Sequence, residues 1–129
     1  MTARRVLLVD DTADLRDMLR MAFSRADGFE VVAEAGDGRA GLEVAARERP
    51  DVVLLDLAMP VMDGLEALPG MRALLPDAVI VVLSGFGAGA MATQAVDRGA
   101  DGYVEKGTSL KALLARVREL ADARLPTAG

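Results

Sequence analysis

Short apolar runs recur along this chain at a spacing of roughly 22–27 residues, which is the spacing expected of repeated strand–helix units. They predict strands at residues 5–10, 29–35, 51–56, 78–84 and 101–105. The third and fourth runs are apolar almost throughout, as expected for strands that are covered on both faces. The pattern therefore predicts an α/β protein with a parallel sheet.

Right-handed crossovers with helices on both faces limit this pattern to few architectures. We predict a doubly wound five-stranded parallel sheet with the order 2-1-3-4-5, in a flavodoxin-like three-layer α/β/α fold. Ligands of such sheets bind beyond the carboxyl ends of the strands, where the strand order reverses. The first and third strands flank that point.

Three of the segments between or after the strands have ordinary helical patterns. The first carries an apolar stripe from Leu15 to Phe23, with Thr12 as its predicted N-cap. The second is predicted over residues 38–48, and the last has its apolar stripe within residues 110–120.

The third and fourth helical segments are irregular. The third is predicted over residues 64–75 but contains Pro69 and Gly70. An interior proline costs about 3 kcal/mol, so we expect this helix to be kinked or split. The fourth begins with three glycines in residues 85–89, so its first turn is expected to be loose.

Composition excludes several classes of function. The chain has 129 residues, enough for one domain with a core. A net charge of −5 and an aromatic content of 3% argue against direct nucleic-acid binding. There is no cysteine, which excludes disulfide and thiolate chemistry. No apolar stretch has the length of a signal peptide core or a membrane span, so we expect a cytoplasmic protein without membrane association.

Four of the predicted strands end at polar residues that suit phosphoryl chemistry. Asp10 and Asp11 follow the first strand, Asp56 and Ser84 end the third and fourth, and Lys106 follows the fifth. Because the carboxyl ends of parallel strands meet at one edge, we expect these five side chains to lie together.

Each of these residues has an ordinary explanation when it is taken alone. Asp10 and Asp11 precede a helix, where acidic residues are favoured, and Ser84 has the chemistry of an N-cap. Asp56 is harder to explain, because a carboxylate directly after four apolar residues is costly unless it is paired or metal-bound. A few oxygen ligands suit Mg²⁺, which keeps several waters and accepts phosphate oxygens.

A carboxylate beside Mg²⁺ can act as a nucleophile toward phosphorus and form an aspartyl phosphate. Catalysis of such a transfer consists mainly of positioning and charge stabilisation. Mg²⁺ would hold one phosphoryl oxygen, Lys106 a second and Ser84 a third. These residues therefore predict a site for phosphoryl transfer to a carboxylate.

The motifs around these residues resemble those of the receiver domains of two-component response regulators, over residues 4–121. Residues 6–11 match the family's acidic pair after the first strand. Residues 56–64 match the segment around the phosphorylated aspartate, with its proline and glycine. Residues 83–85 match the switch hydroxyl, and residues 99–106 match the aromatic residue and the lysine.

The resemblance implies that Asp56 accepts a phosphoryl group from the phosphohistidine of a histidine kinase or a histidine phosphotransfer protein. It implies that Asp11, Asp56 and the backbone carbonyl of Ala58 ligate Mg²⁺, with Asp10 acting through water. Such a protein is not an enzyme, apart from catalysing its own phosphoryl transfer and a slow autodephosphorylation.

The resemblance also implies a phosphorylation-dependent switch. Ser84 turns toward the phosphoryl group, and Tyr103 rotates into the vacated space. The face formed by the fourth helix, the fifth strand and the fifth helix then changes shape for an output domain, an effector or a second copy of the chain. In two-state terms, phosphorylation biases an existing equilibrium.

Three residues depart from the family pattern. The family commonly has a proline in a cis peptide after the lysine, and here Gly107 stands in that place. We predict a trans bond, because a non-proline cis bond costs roughly 2.5–4 kcal/mol. Ala58 has no polar side chain to orient an attacking water, and Phe86 is placed to cover the site, so we expect slow loss of the phosphoryl group.

Two other classes of protein fit these residues less well. A haloacid-dehalogenase-like Mg²⁺-dependent aspartyl phosphatase would need a second aspartate where this chain has Ala58. A flavodoxin-like FMN-binding module would have its phosphate repelled by Asp10 and Asp11.

We predict a receiver domain over residues 1–121, with residues 122–129 as a flexible tail or the start of a linker. Two forms of the protein stay open: a stand-alone regulator, and the N-terminal receiver of a DNA-binding transcription factor.

Overall fold

The computed structural model describes residues 3–85 and 89–125. The strands are β1 (Arg4–Val9), β2 (Phe29–Ala35), β3 (Val52–Asp56), β4 (Val79–Ser84) and β5 (Gly102–Glu105). The helices are α1 (Ala13–Ser24), α2 (Gly38–Glu48), α3 (Gly64–Leu74), α4 (Gly89–Asp97) and α5 (Leu110–Arg124).

The five strands form one parallel sheet in the order β2-β1-β3-β4-β5, which confirms the predicted architecture. Asp56 at the end of β3 pairs with Leu83 of β4, and Ser84 pairs with Glu105 of β5. This register brings the carboxyl ends of neighbouring strands to the same edge of the sheet.

Alternate residues of the inner strands enter two apolar clusters, one on each face of the sheet. On one face the cluster includes Ala45 of α2, Leu68 of α3 and Ala95 of α4. On the other face it includes Phe23 of α1 and Val117 of α5. Every residue of β3 and β4 is buried, so the sheet forms the middle of three layers.

Pro69 lies inside α3 without splitting it. The helix runs without a break from Gly64 to Leu74, so of the two predicted outcomes, a kink or a split, the split is wrong. Because proline has no N–H, Pro69 leaves the carbonyl of Leu65 without its helical donor. Arg98, just beyond α4, donates from Nη1 to this carbonyl oxygen at 3.0 Å. An arginine thus replaces the hydrogen bond that the proline removes.

We expect the effect of Arg98→Ala on stability to depend on residue 69. In the wild-type background the change removes a partner of the Leu65 carbonyl and should lower the free energy of unfolding by about 0.5–1 kcal/mol. In a Pro69→Ala background the new N–H serves the same carbonyl, so the loss should shrink toward zero. Urea unfolding of the four proteins in a double-mutant cycle measures this difference. Equal losses in both backgrounds would contradict the assigned role of Arg98.

The last helix is longer than predicted. α5 continues to Arg124, and Ala121 is fully buried. Arg124 Nη1 donates to Asp101 Oδ1 at 2.9 Å, while Arg72 Nη2 of α3 donates to Asp101 Oδ2 at 2.6 Å. These contacts hold the last turn of α5 against the rest of the domain, so the predicted boundary at residue 121 falls one turn too early.

No helix in the described part of the chain has the length and apolar content needed to cross a membrane.

The predicted loose start of the fourth helix lies partly outside the described residues. It covers residues 85–89, of which residues 86–88 are not described. The prediction that Phe86 covers the site lies outside the described residues as well, as does the end of the predicted tail at residues 126–129.

Candidate functional site

The polar residues at the strand ends come together at one edge of the sheet. Asp56 is the last residue of β3, and Asp10 directly follows β1. Lys106 follows β5 and places its Nζ 2.9 Å from Asp56 Oδ2 and 3.3 Å from Asp10 Oδ2. Carboxylate oxygens of Asp10, Asp11 and Asp56 lie within 4.8 Å of one another. These four residues are therefore neighbours in space, as expected from their places after the strands.

The two carboxylates beside Lys106 are almost completely buried. Asp10 is 2% exposed and Asp56 is 1% exposed, whereas Asp11 is exposed to solvent. Burying a carboxylate is costly unless its charge is compensated. The Lys106 ammonium provides part of that compensation.

The pKa values of the central ion pair are shifted in the same direction. Burial raises the pKa of the Asp56 carboxyl, although hydrogen bonds from Lys106 Nζ and the Ala58 N–H act against this rise. Burial alone would lower the pKa of Lys106, but its hydrogen bond to Asp56 and the charges of Asp56 and Asp10 outweigh burial, so the net shift is upward. Lys106 is therefore protonated at neutral pH, and the charged form of Asp56 would gain from a further cation.

One buried oxygen of the cluster lacks a hydrogen bond. Among the described residues, no donor forms a hydrogen bond to Asp10 Oδ2, and Lys106 approaches it only as an ion pair at 3.3 Å. Three carboxylates around one ammonium leave negative charge uncompensated. Because Mg²⁺ takes a few carboxylate oxygens and keeps several waters, the residues present here fit such an ion.

Both oxygens of the Asp56 carboxylate accept a hydrogen bond, one from the loop after β3 and one from Lys106. Oδ1 accepts from the Ala58 N–H at 3.1 Å, and Oδ2 accepts from Lys106 Nζ. Ala58 itself is exposed, and its side chain offers no group that could hold a water. The carbonyl of Ala58 stays a predicted metal ligand.

Gly64 lets helix α3 begin against the backbone of Asp56. Its N–H donates to Leu57 O at 3.1 Å. A Cβ added at Gly64 would lie 2.2 Å from Asp56 O and 2.9 Å from Leu57 Cα. Asp63 caps the helix, because its carboxylate accepts from the Glu66 N–H at 2.8 Å. The motif in the sequence included Gly64, but this close approach follows only from how α3 meets β3.

The two predicted switch residues lie on β4 and β5. Ser84 is 3% exposed, and its carbonyl accepts from the Lys106 N–H at 2.7 Å. Tyr103 is partly buried and packs against the apolar cluster that α2, α3 and α4 cover. Their roles in switching stay predictions.

The turn after Lys106 has the predicted trans geometry, since no peptide bond among the described residues is cis. Gly107 adopts a φ of +97°, in the left-handed region that glycine enters readily. Ser109 then caps α5, with its hydroxyl accepting from the Ala112 N–H at 3.2 Å. The loop before α5 is thus built on a left-handed glycine.

Two contacts at the Asp10 loop were not predicted. Thr12 occupies the N-cap position of α1, but its hydroxyl forms no capping hydrogen bond. Its N–H instead donates to Asp10 Oδ1 at 2.8 Å, and Arg16 Nη1 donates to Asp10 O at 2.5 Å. The sequence shows only that an arginine lies on the first helix shortly after the acidic pair. This position does not specify which group the arginine contacts.

The sheet order, together with an acidic cluster and a lysine at its carboxyl edge, defines a CheY-type α/β domain. Residues 6–118 match the response regulator receiver domain family, and the chain belongs to this family. It is therefore a receiver domain of the kind that two-component systems use.

Individual relatives agree with this assignment. The chain is 38% identical over 118 residues to the nitrate/nitrite response regulator protein homolog of Haemophilus influenzae, covering 92% of this chain and 57% of that protein. It is 39% identical over 103 residues to the chemotaxis protein CheY of Thermotoga maritima, covering 80% of this chain and 85% of that protein. The structure of the signal receiver domain of NarL from Mycobacterium tuberculosis superposes with a TM-score of 0.89 at 33% identity, covering 96% of this chain and 100% of that one.

These relatives differ in length. The chain spans 57% of the Haemophilus influenzae protein but 85% of Thermotoga maritima CheY. Among the other curated relatives, it spans 53% of the response regulator MprA of Mycolicibacterium vanbaalenii. The chain thus spans about half the length of several relatives that it matches.

Proposed function

We propose that this receiver domain is a phosphorylation-dependent switch, in which Asp56 accepts a phosphoryl group from the phosphohistidine of a histidine kinase or a histidine phosphotransfer protein. The observation that carries the proposal is the 2.9 Å contact between Lys106 Nζ and Asp56 Oδ2 beside Asp10. It puts a cation at the carboxylate where a transferring group would bring negative charge.

The transfer exchanges one bond to phosphorus for another. An Asp56 oxygen bonds to phosphorus while the bond from phosphorus to the histidine nitrogen breaks, and its electron pair stays on the imidazole. Lys106 then pairs with one oxygen of the transferred group, and the Ser84 hydroxyl donates to another. Bound Mg²⁺, held by Asp11, Asp56 and the Ala58 carbonyl, with Asp10 acting through water, would supply positive charge to the third oxygen.

The same residues give the switch its two states. A phosphoryl group on Asp56 attracts the Ser84 hydroxyl, and the space that Ser84 leaves is filled by the Tyr103 ring. Tyr103 lies on β5, between α4 and α5 in the chain, so its movement alters the face that these elements form. Phosphorylation shifts the population toward the state whose contacts with the phosphoryl group are stronger.

We propose that the output domain or effector, or a second copy on phosphorylation, binds this face of α4, β5 and α5. Val96 of α4 supports this assignment, because it is a large apolar side chain that is 55% exposed. The Haemophilus influenzae relative extends well beyond the matched region and CheY extends little beyond it, so the similarity accommodates both forms of output predicted from the sequence.

Incubation with a small phosphodonor and Mg²⁺ tests the proposed function. We expect the intact mass of the protein to increase by one phosphoryl group, and peptide mapping to place that group on Asp56. The adduct should depend on Mg²⁺ and be lost when the protein is unfolded and treated with base, because an acyl phosphate hydrolyses readily. No adduct, or an adduct mapped to another residue, would contradict the proposal.

Lys106→Met is expected to slow phosphoryl uptake by about 100-fold or more, the usual effect of removing one charge-stabilising donor. The rate of adduct formation, measured by mass spectrometry over time, gives this ratio. Lys111→Met is the matched control, because it removes the other lysine of the chain from an exposed position on α5. If the two variants are phosphorylated equally fast, Lys106 does not act on the phosphoryl group.

A further inference from the structure

The peptide between Asp10 and Asp11 is held by a side chain outside the acidic cluster. Arg16 of α1 donates from Nη1 to Asp10 O, the carbonyl of that peptide, at 2.5 Å. On the other side of the residue, the Asp10 N–H donates to Ala35 O at 3.0 Å, and Asp10 Oδ1 accepts from the Thr12 N–H at 2.8 Å. Three polar groups of Asp10 are therefore restrained, while Oδ2 faces Lys106 and the cluster.

Asp11 depends on the same peptide. Its side chain is exposed and contributes one carboxylate oxygen to the cluster. An exposed side chain has little packing to set its direction, so that direction follows from the backbone that precedes it. A group that fixes the plane of the Asp10–Asp11 peptide consequently orients both carboxylates.

Arg16 is itself fixed by Glu34 of β2. Arg16 Nε lies 3.0 Å from Glu34 Oε1, and the two side chains are 21% and 23% exposed. Arg20, one turn further along α1, lies 2.6 Å from Glu34 Oε2 and is 48% exposed. The two arginines carry the same charge and share one glutamate, but of the two it is Arg16 that contacts the Asp10 carbonyl.

We propose that Arg16 is a positioning residue for the metal-holding pair of Asp10 and Asp11. Held by Glu34, its guanidinium fixes the peptide between the two aspartates in the orientation that a divalent cation needs. The inference rests on the proposed function, because that function assigns Mg²⁺ to this pair. The positive charge of Arg16 opposes a nearby cation, so any gain in Mg²⁺ affinity from Arg16 must come from orientation.

Mg²⁺ titrations of the whole chain and its variants test this inference, with the dissociation constant and the amide chemical shifts of Asp11 and Thr12 as readouts. Groups that orient metal ligands typically contribute a factor of 10–100 in affinity, and we expect Arg16→Ala to weaken Mg²⁺ binding about tenfold. Its Asp11 and Thr12 amides should also shift before any Mg²⁺ is added. Arg20→Ala removes the same charge from the same glutamate and should change neither readout.

Arg16→Lys should restore part of the affinity, because an ammonium can serve either the carbonyl or Glu34 but does not match the planar fork of arginine. It also replaces Arg16→Ala as the test variant should the alanine protein not fold. If the Arg16 variants bind Mg²⁺ as tightly as Arg20→Ala does, while the wild type binds, the inference is wrong and the proposed function stands. If the wild type binds no Mg²⁺, both are wrong.

Discussion

An Asp56→Asn variant is expected to take up no phosphoryl group from a small phosphodonor under conditions that label the wild type. The amide has nearly the shape of the carboxylate but no anionic oxygen to attack phosphorus. Intact mass spectrometry after incubation with the donor and Mg²⁺ measures the adduct. Asp11→Asn serves as the control, because it removes an acidic residue of the same cluster and leaves the acceptor in place. That variant should be labelled more slowly, and on Asp56.

Loss of labelling in Asp56→Asn should not reflect loss of the fold. Burial raises the pKa of Asp56, so the folded protein holds the charged carboxylate less favourably than the unfolded chain does. The charge therefore costs stability at pH values above the folded-state pKa, and this cost disappears as the pH falls from that value to below the pKa of the unfolded chain. We expect Asp56→Asn to melt no lower than the wild type at neutral pH without Mg²⁺, with the difference closing in acid. An adduct on a folded Asp56→Asn protein would refute Asp56 as the acceptor.

Gly64→Ala is expected to lower the free energy of unfolding by about 3 kcal/mol, the upper end for overpacking. Its Cβ would lie 2.2 Å from Asp56 O and 2.9 Å from Leu57 Cα. These are backbone atoms of β3 and the residue after it, which cannot rotate away as a side chain can. The first turn of α3 would have to move outward, and thermal or urea unfolding measures the cost.

Gly70→Ala is the matched control for Gly64→Ala, because it adds the same methyl group to the same helix. There the nearest atoms are the Leu42 methyl carbons at 3.3 and 3.5 Å, which a small side-chain movement can relieve. Alanine also favours a helix over glycine by up to about 1 kcal/mol. We expect Gly70→Ala to leave stability unchanged or slightly raised. Similar losses in the free energy of unfolding in the two variants would contradict the claim that the close contact with the backbone of Asp56 requires glycine at position 64.

The sheet and the residues at its edge could be predicted because they follow from local patterns. A run such as residues 52–55 is apolar at every position, which is typical of a strand that is covered on both faces. Once such strands are parallel, their carboxyl ends lie at one edge. It follows that Asp10, Asp56 and Lys106 lie close together, and this can be predicted without knowing the conformation of any side chain.

The features that could not be predicted depend on contacts between elements. Pro69 predicted a kinked or split helix, and the hydrogen bond from Arg98 to the Leu65 carbonyl could not be predicted from the sequence. The part of α5 beyond residue 121 was not predicted, because the sequence does not show that Asp101 receives the guanidinium of Arg124. Arg16 has many possible partners on a helix surface, and the choice of the Asp10 carbonyl depends on how α1 packs beside β2.

Lys106 follows β5 directly. Local opening of β5 therefore changes the charge balance at Asp10 and Asp56. β5 has four residues and stands at the edge of the sheet, where it pairs with β4 alone. Short edge strands are among the first parts of a domain to open and exchange their amide hydrogens. When β5 opens, the ammonium leaves two buried carboxylates facing each other, so the opening carries an electrostatic cost. The ion pair between Lys106 and Asp56 is therefore expected to slow amide exchange along β5 as well.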